Sequence, residues 1–204
     1  MRGYMHLFYI HGFLSGPNAA KATALASYLK DHPELASSFS FSAPDFPDEP
    51  EPAFSSLQAQ LVAFVKEHPQ EPIGLIGSSM GGFFSTLLSA QLACPAVLLN
   101  PCVAPQEYFP KLIGPQFNPV TQRHFELKSE MMTYLAYLDN LTVVRPELIK
   151  VILADQDEVL DKRKSELLYN ACDISIINGE DHAFTRNFKA LIPEIFSFFQ
   201  NFYH

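Results

Sequence analysis

The chain predicts an α/β fold: a mostly parallel, six-stranded sheet covered by helices on both faces, forming a three-layer sandwich. Three observations predict it. Strand-like and helix-like runs alternate along the sequence, the pattern of βαβ units with right-handed crossovers. The strand-like runs are short and mostly apolar on both faces, as expected for strands covered on both sides. The residues able to do chemistry, His11, Ser79, Asp157 and His182, each follow such a run, where ligands bind in parallel sheets.

The elements follow in order. His6-Leu7-Phe8-Tyr9-Ile10 reads as the first strand. Ala22, Leu25 and Leu29 then share one helix face by their 3–4 spacing. Residues 38–42 read as a strand, and Phe54, Leu57, Leu61 and Phe64 mark the next helix stripe. Between them, Pro44 to Pro52 is a stiff acidic loop. Residues 73–77 and 96–100 are strands around the helical run from Phe83 to Ala93. Residues 150–154 and 173–177 complete the six strands, and Leu191, Ile192, Ile195, Phe196 and Phe199 form the buried stripe of a last helix. One stretch breaks the alternation. Residues 102–148 connect two strands through far more chain than one helix needs, with five prolines and several aromatics. Connections this long are lids or binding loops, or else an extra packing layer. The expectation is one domain over residues 1–204 with a lid or insertion at 102–148.

Composition excludes several classes of function. With 48% apolar residues over 204, the chain has enough to bury one sizeable core. A formal charge of −8 and the lack of an extended Lys/Arg cluster able to neutralise phosphates argue against nucleic acid as a partner. No apolar run approaches the ~20 residues that span a bilayer, and the N-terminus lacks the features of a signal peptide. Cys94, Cys102 and Cys172 are widely spaced and odd in number, which fits reduced core thiols and a cytoplasmic location. Asp155-x-Asp157-x-x-x-Asp161 lacks the glycine and terminal glutamate of a calcium loop. No phosphate-binding glycine motif occurs, so neither a metal nor a nucleotide cofactor is expected. Oligomeric state is not legible.

Gly77-Ser78-Ser79-Met80-Gly81 stands between an apolar run and a helix. A G-x-S-x-G so placed is a nucleophile elbow, a turn tight enough that the residues two before and two after the serine must be small. Downstream, Asp155-Gln156-Asp157 follows one strand and Gly179-Glu180-Asp181-His182 follows the next. The order Ser79, Asp157, His182 gives a nucleophile, an orienting acid and a base. Asp157 is preferred as the acid because it lies in the loop. Asp155 continues the strand and is placed to cap a turn, and Asp161 precedes a helix, where a negative charge meets the dipole favourably.

These residues, with Tyr9-Ile10-His11-Gly12-Phe13, resemble the α/β-hydrolase superfamily and, more narrowly, the small YqiA-like bacterial esterases. The resemblance spans nearly the whole chain. It implies hydrolysis of carboxyl esters or thioesters without a cofactor, on an α/β-hydrolase fold lacking the two N-terminal antiparallel strands of larger members. It also implies that the His11-Gly12 loop supports an oxyanion hole built from the backbone N–H groups of Phe13 and Met80. Ala154 stands where relatives tend to have glycine shortly before the acid. Two rivals remain at this point: a lyase or C–C hydrolase using the same triad, and a non-catalytic binding protein.

Overall fold

The structure is a computed structural model and describes residues 4–202. In chain order its elements are β1 Met5–Ile10, α1 Ala20–Asp31, α2 Pro33–Ala36, β2 Phe39–Ser42, α3 Pro50–Glu67, β3 Ile73–Ser78 and α4 Met80–Leu92. Next come β4 Ala96–Leu99, β5 Gly114–Phe117, β6 His124–Leu127, α5 Glu130–Asn140, β7 Ile149–Ala154, α6 Lys162–Leu168, β8 Asp173–Ile177 and α7 Phe188–Gln200. Six strands form one parallel sheet in the order β2-β1-β3-β4-β7-β8. The order reverses between β1 and β3, so the loops after these two strands flank a crevice at the C-terminal edge of the sheet. This is the predicted α/β sandwich.

Strand alternation divides the core into two layers. Phe8 and Ile10 of β1 face one side with Leu75, Leu98 and Val151, where α3, α4 and α5 pack. Met5, Leu7 and Tyr9 face the other with Ile76, Val97 and Ile152, beneath α1 and α7. Helix α7 buries the predicted stripe of Leu191, Ile192, Ile195, Phe196 and Phe199. Lys150 interrupts the apolar run of β7 yet is buried, because its ammonium reaches Asp173 at 2.7 Å and Glu194 at 2.9 Å. Among the described residues, no helix is long and apolar enough to cross a membrane.

Residues 102–148 hold an antiparallel hairpin, β5–β6, followed by α5. The sequence did not indicate the hairpin. Its strands are mostly exposed and one contains Pro115, so neither an apolar run nor clean alternation marks them. Its turn is closed by Asn118, whose Oδ1 accepts from the N–H of Val120 at 2.9 Å and of Thr121 at 3.2 Å. The fully buried Asn118 also donates through Nδ2 to the carbonyl of Ser15 at 2.7 Å. The insertion is thereby tied to the loop after β1.

Candidate active site

Ser79 occupies the turn between β3 and α4 with φ 55° and ψ −119°. Positive φ strains a residue with a side chain by about 1–3 kcal/mol and persists only where the surroundings enforce it. Here the backbone is held on both sides. The Ser79 N–H donates to the Leu99 carbonyl at 2.9 Å, and its own carbonyl accepts from Gly82 and Cys102, each at 2.9 Å. The flanking glycines are steric requirements. A Cβ on Gly81 would lie 2.1 Å from the Ile10 carbonyl oxygen, and one on Gly77 would lie 2.5 Å from that of Gly81.

The structure brings Ser79, His182 and Asp157 into one line. Ser79 Oγ lies 3.0 Å from His182 Nε2, and His182 Nδ1 lies 2.8 Å from Asp157 Oδ2. A carboxylate only accepts, so Nδ1 carries the proton and Nε2 is left to accept from the serine hydroxyl. The other Asp157 oxygen accepts from the N–H groups of Val159 and Leu160 at 2.9 and 2.8 Å. This fixes the carboxylate against the ring.

The three neighbouring aspartates have separate positions. Asp155 turns away from His182 and accepts from the Gly179 N–H at 2.6 Å, stitching the loop after β7 to the loop after β8. Asp161 caps α6 through the Arg163 N–H at 3.0 Å.

Two residues that sequence reasoning passed over hold the histidine loop. Asn100, buried and at φ 42°, donates through Nδ2 to the His182 carbonyl at 3.0 Å. Its Oδ1 accepts from the Ala154 N–H at 2.7 Å. One side chain thus ties together the ends of β4 and β7 and the histidine loop. Glu158 accepts from the His182 N–H at 3.0 Å. The available signal was an asparagine just before Pro101 at a strand end, a residue type that tolerates the left-handed region.

The Gly12–Phe13 segment passes beside the serine: a Cβ on Gly12 would sit 3.1 Å from Ser79 Cβ. Met80 begins α4, where the first N–H groups have no intrahelical acceptor. Phe13 is braced from outside by Phe109 and Phe125 in edge-on contacts, at centroid distances of 4.8 and 5.8 Å. His11 is buried and stacks on Phe46 at 3.9 Å. Its Nδ1 donates to the Gly12 carbonyl at 3.0 Å, and burial pushes its pKa down to about 4. His11 is therefore neutral above mildly acidic pH and shapes the loop.

A cavity of about 620 Å³ opens on Ser79 and His182. Its walls come from Tyr9, the loop after β1, the first turns of α1 and α7, and residues 182–186. No residue of 102–148 lines it. Phe117 is exposed, and Phe125 is occupied with Phe13. Phe109 is buried and borders a nearly closed cleft of about 10 Å³, shared with His11, Phe13 and Met80. Asn118 anchors the hairpin to the loop after β1 at the Ser15 carbonyl.

The cysteine thiols are not members of the line from Ser79 to Asp157. Cys94 and Cys102 are buried, with thiol pKa values pushed up to about 12 by burial. Cys172 is only half-buried, less than the core position expected, and its thiol is still raised to about 11 by burial.

Compared with known protein families, residues 6–200 match the Uncharacterised protein family (UPF0227), and the chain belongs to that family. Among solved structures it is similar to Est1E from Butyrivibrio proteoclasticus, with TM-score 0.73 and 15% identity over 98% of this chain and 89% of that one. It is also similar to alpha/beta hydrolase domain-containing protein 10 from mouse, with TM-score 0.68 and 13% identity over 99% and 92% of the two chains. An esterase from Pyrococcus furiosus matches with TM-score 0.66 and 15% identity over 98% and 82%. At these identities the likeness establishes the α/β-hydrolase fold.

Proposed function

We propose that this member of the UPF0227 family is a serine hydrolase that cleaves carboxyl esters or thioesters through an acyl-enzyme. The observation that carries the reading is the hydrogen-bonded line from Ser79 through His182 to Asp157, open to a cavity of about 620 Å³. One of the similar structures, that from Pyrococcus furiosus, is an esterase by name, which supports the reaction class.

The geometry performs the reaction as follows. His182 Nε2 takes the proton of Ser79 as Oγ attacks the carbonyl carbon. Asp157 holds the ring in the required tautomer and stabilises the imidazolium. The N–H groups of Met80 and Phe13 receive the negative charge that develops on the substrate oxygen. His182 then protonates the departing alcohol or thiol. Water, deprotonated by His182, attacks the acyl-enzyme and releases the acid. Residues 102–148 act as a buttress in this reading, holding Phe13 and its N–H in place through Phe109, Phe125 and Asn118.

The test is labelling with a fluorophosphonate probe, followed by mass mapping of the modified peptide. Label on Ser79, with loss of both labelling and ester turnover in a folded Ser79→Ala variant, is the expected outcome. Wild-type turnover by Ser79→Ala refutes the reading.

A further inference from the structure

The cavity beside Ser79 has a charge opposite to that of the protein. The chain carries 22 acidic and 14 basic residues, for a net charge of −8. Yet Lys21, Arg186 and Lys189 all line the cavity, and no carboxylate does. Lys21 is the most committed of the three. It stands in the first turn of α1, half-buried, with its ammonium 5.9 Å from the centre of the Phe188 ring. Among the described residues it makes no ion pair within 4.0 Å.

The carboxylate acting on Lys21 from a distance is Asp181, whose oxygens are already taken by the Thr185 hydroxyl and N–H. Burial lowers the Lys21 pKa, and Asp181 offsets this only in part. An unpaired, partly desolvated ammonium is costly until an anion meets it. The first turns of α1 and α7 border the same space, and neither holds an acidic residue or a side-chain cap. The charged side chains and helix ends that line the cavity are therefore positive.

Resting on the serine-hydrolase reading, we propose that the substrate is an anionic ester or thioester, whose carboxylate or phosphate is bound in this cavity by Lys21 with Arg186 and Lys189. The anion is carried by the leaving group or by the acyl part. His182 must reach the leaving atom, and its own loop, residues 182–186, forms one cavity wall. This favours the leaving group.

Two matched pairs of probes test the proposal. For the leaving group, 4-acetoxybenzoate is compared with its methyl ester. For the acyl part, mono-4-nitrophenyl glutarate is compared with 4-nitrophenyl valerate. In at least one pair the anionic member should have the higher kcat/KM. That preference should fall on the order of tenfold or more in Lys21→Met, the equivalent of a charge-assisted hydrogen bond, and recover in Lys21→Arg. The pair that responds identifies which part carries the charge. Added salt should shrink the preference as it screens the exposed Arg186 and Lys189.

Binding of 4-hydroxybenzoate and of glutarate to Ser79→Ala by calorimetry reads the same site without turnover. Lys21-dependent binding of either supports the proposal. If Ser79 is labelled and neutral esters are hydrolysed, but no anionic probe is preferred or bound, the proposal is overturned and the hydrolase reading stands. If Ser79 is not labelled, the hydrolase reading fails, and binding to Ser79→Ala alone decides whether the anion site exists.

Discussion

Acidification from about pH 7.5 to about pH 4.5 should weaken the fold, and His11 alone should account for about 2.5 kcal/mol of the loss. The ring is buried against Phe46, its Nδ1–H is spent on the Gly12 carbonyl, and its Nε2 is buried without a partner. Protonating Nε2 would bury a charge and an N–H with no acceptor, so the pKa is lowered to about 4 from the ordinary 6.5. The unfolded chain binds the proton near pH 6.5 and the folded chain only near 4. Between those values the unfolded state holds more protons, and stability falls as pH falls. Each pH unit within the window contributes about 1.4 kcal/mol. The lower limit of about 4.5 captures most of the effect. Urea unfolding of wild type and His11→Gln at both pH values provides the assay. His6, also lowered by burial, contributes alike to both proteins and cancels in the difference. The wild type should lose about 2.5 kcal/mol more than the variant over this range. Equal losses in the two proteins would show that His11 is already charged in the fold, and the argument from its buried Nε2 would be wrong.

The remaining expectations concern the elbow, the acid and the insertion. Asp157→Asn should lower turnover of a 4-nitrophenyl ester on the order of 10³–10⁴-fold, while Asp155→Asn, whose amide oxygen can still accept from the Gly179 N–H, should cost far less; the opposite ranking would reassign the acid. Gly81→Ala should destabilise by about 3 kcal/mol or more in chemical unfolding, because its Cβ meets the Ile10 carbonyl at 2.1 Å; an unchanged midpoint would sink this account of the turn. Phe109→Ala should cost about 3–5 kcal/mol of stability and open the cleft beside Phe13 and Met80. Rates across an acetate-to-octanoate series should then shift toward longer chains, and an unmoved profile in a folded variant would leave the cleft without a part in acyl binding.

What could be read from the sequence was whatever depends on local pattern. The six strands were legible because most are short apolar runs, with β2 marked by the alternation Phe-Ser-Phe-Ser, and the stripe of α7 because Leu191 to Phe199 keeps helical spacing. The placing of Ser79, Asp157 and His182 near one another follows from the rule that parallel strands put their C-terminal ends on one edge. The separate positions of Asp155 and Asp161 followed from where each falls relative to its element. What depends on distant chain was hidden. Asn100 acts across more than fifty residues to Ala154 and more than eighty to His182, and nothing local distinguishes it from an ordinary strand-end asparagine. The short exposed strands β5 and β6 carry no burial pattern. Lys150 is buried only because Asp173 and Glu194 arrive from other elements. The cavity is hardest of all to foresee, since its walls are α1, α7 and two loops that meet only in three dimensions.

This division has a consequence for how such a site can vary. Ser79 is fixed by backbone hydrogen bonds to Leu99 and Cys102, and the histidine loop by the side chains of Asn100 and Glu158. The strain at Ser79 is sustained because the sheet edge leaves its turn no slack. The opposite wall is made differently. Arg186 and Lys189 are exposed and Lys21 is half-buried, all near the beginnings of helices whose cores are secured elsewhere. A substitution of Lys21 or Lys189 changes charge and space without removing a hydrogen bond of the line from Ser79 to Asp157, whereas Arg186 also donates to the Gly179 carbonyl of the histidine loop. In the proposed reading, what is bound and how the bond is broken are therefore set by separate parts of the fold. Substrate preference can change at positions 21 and 189 while the geometry around Ser79 is retained.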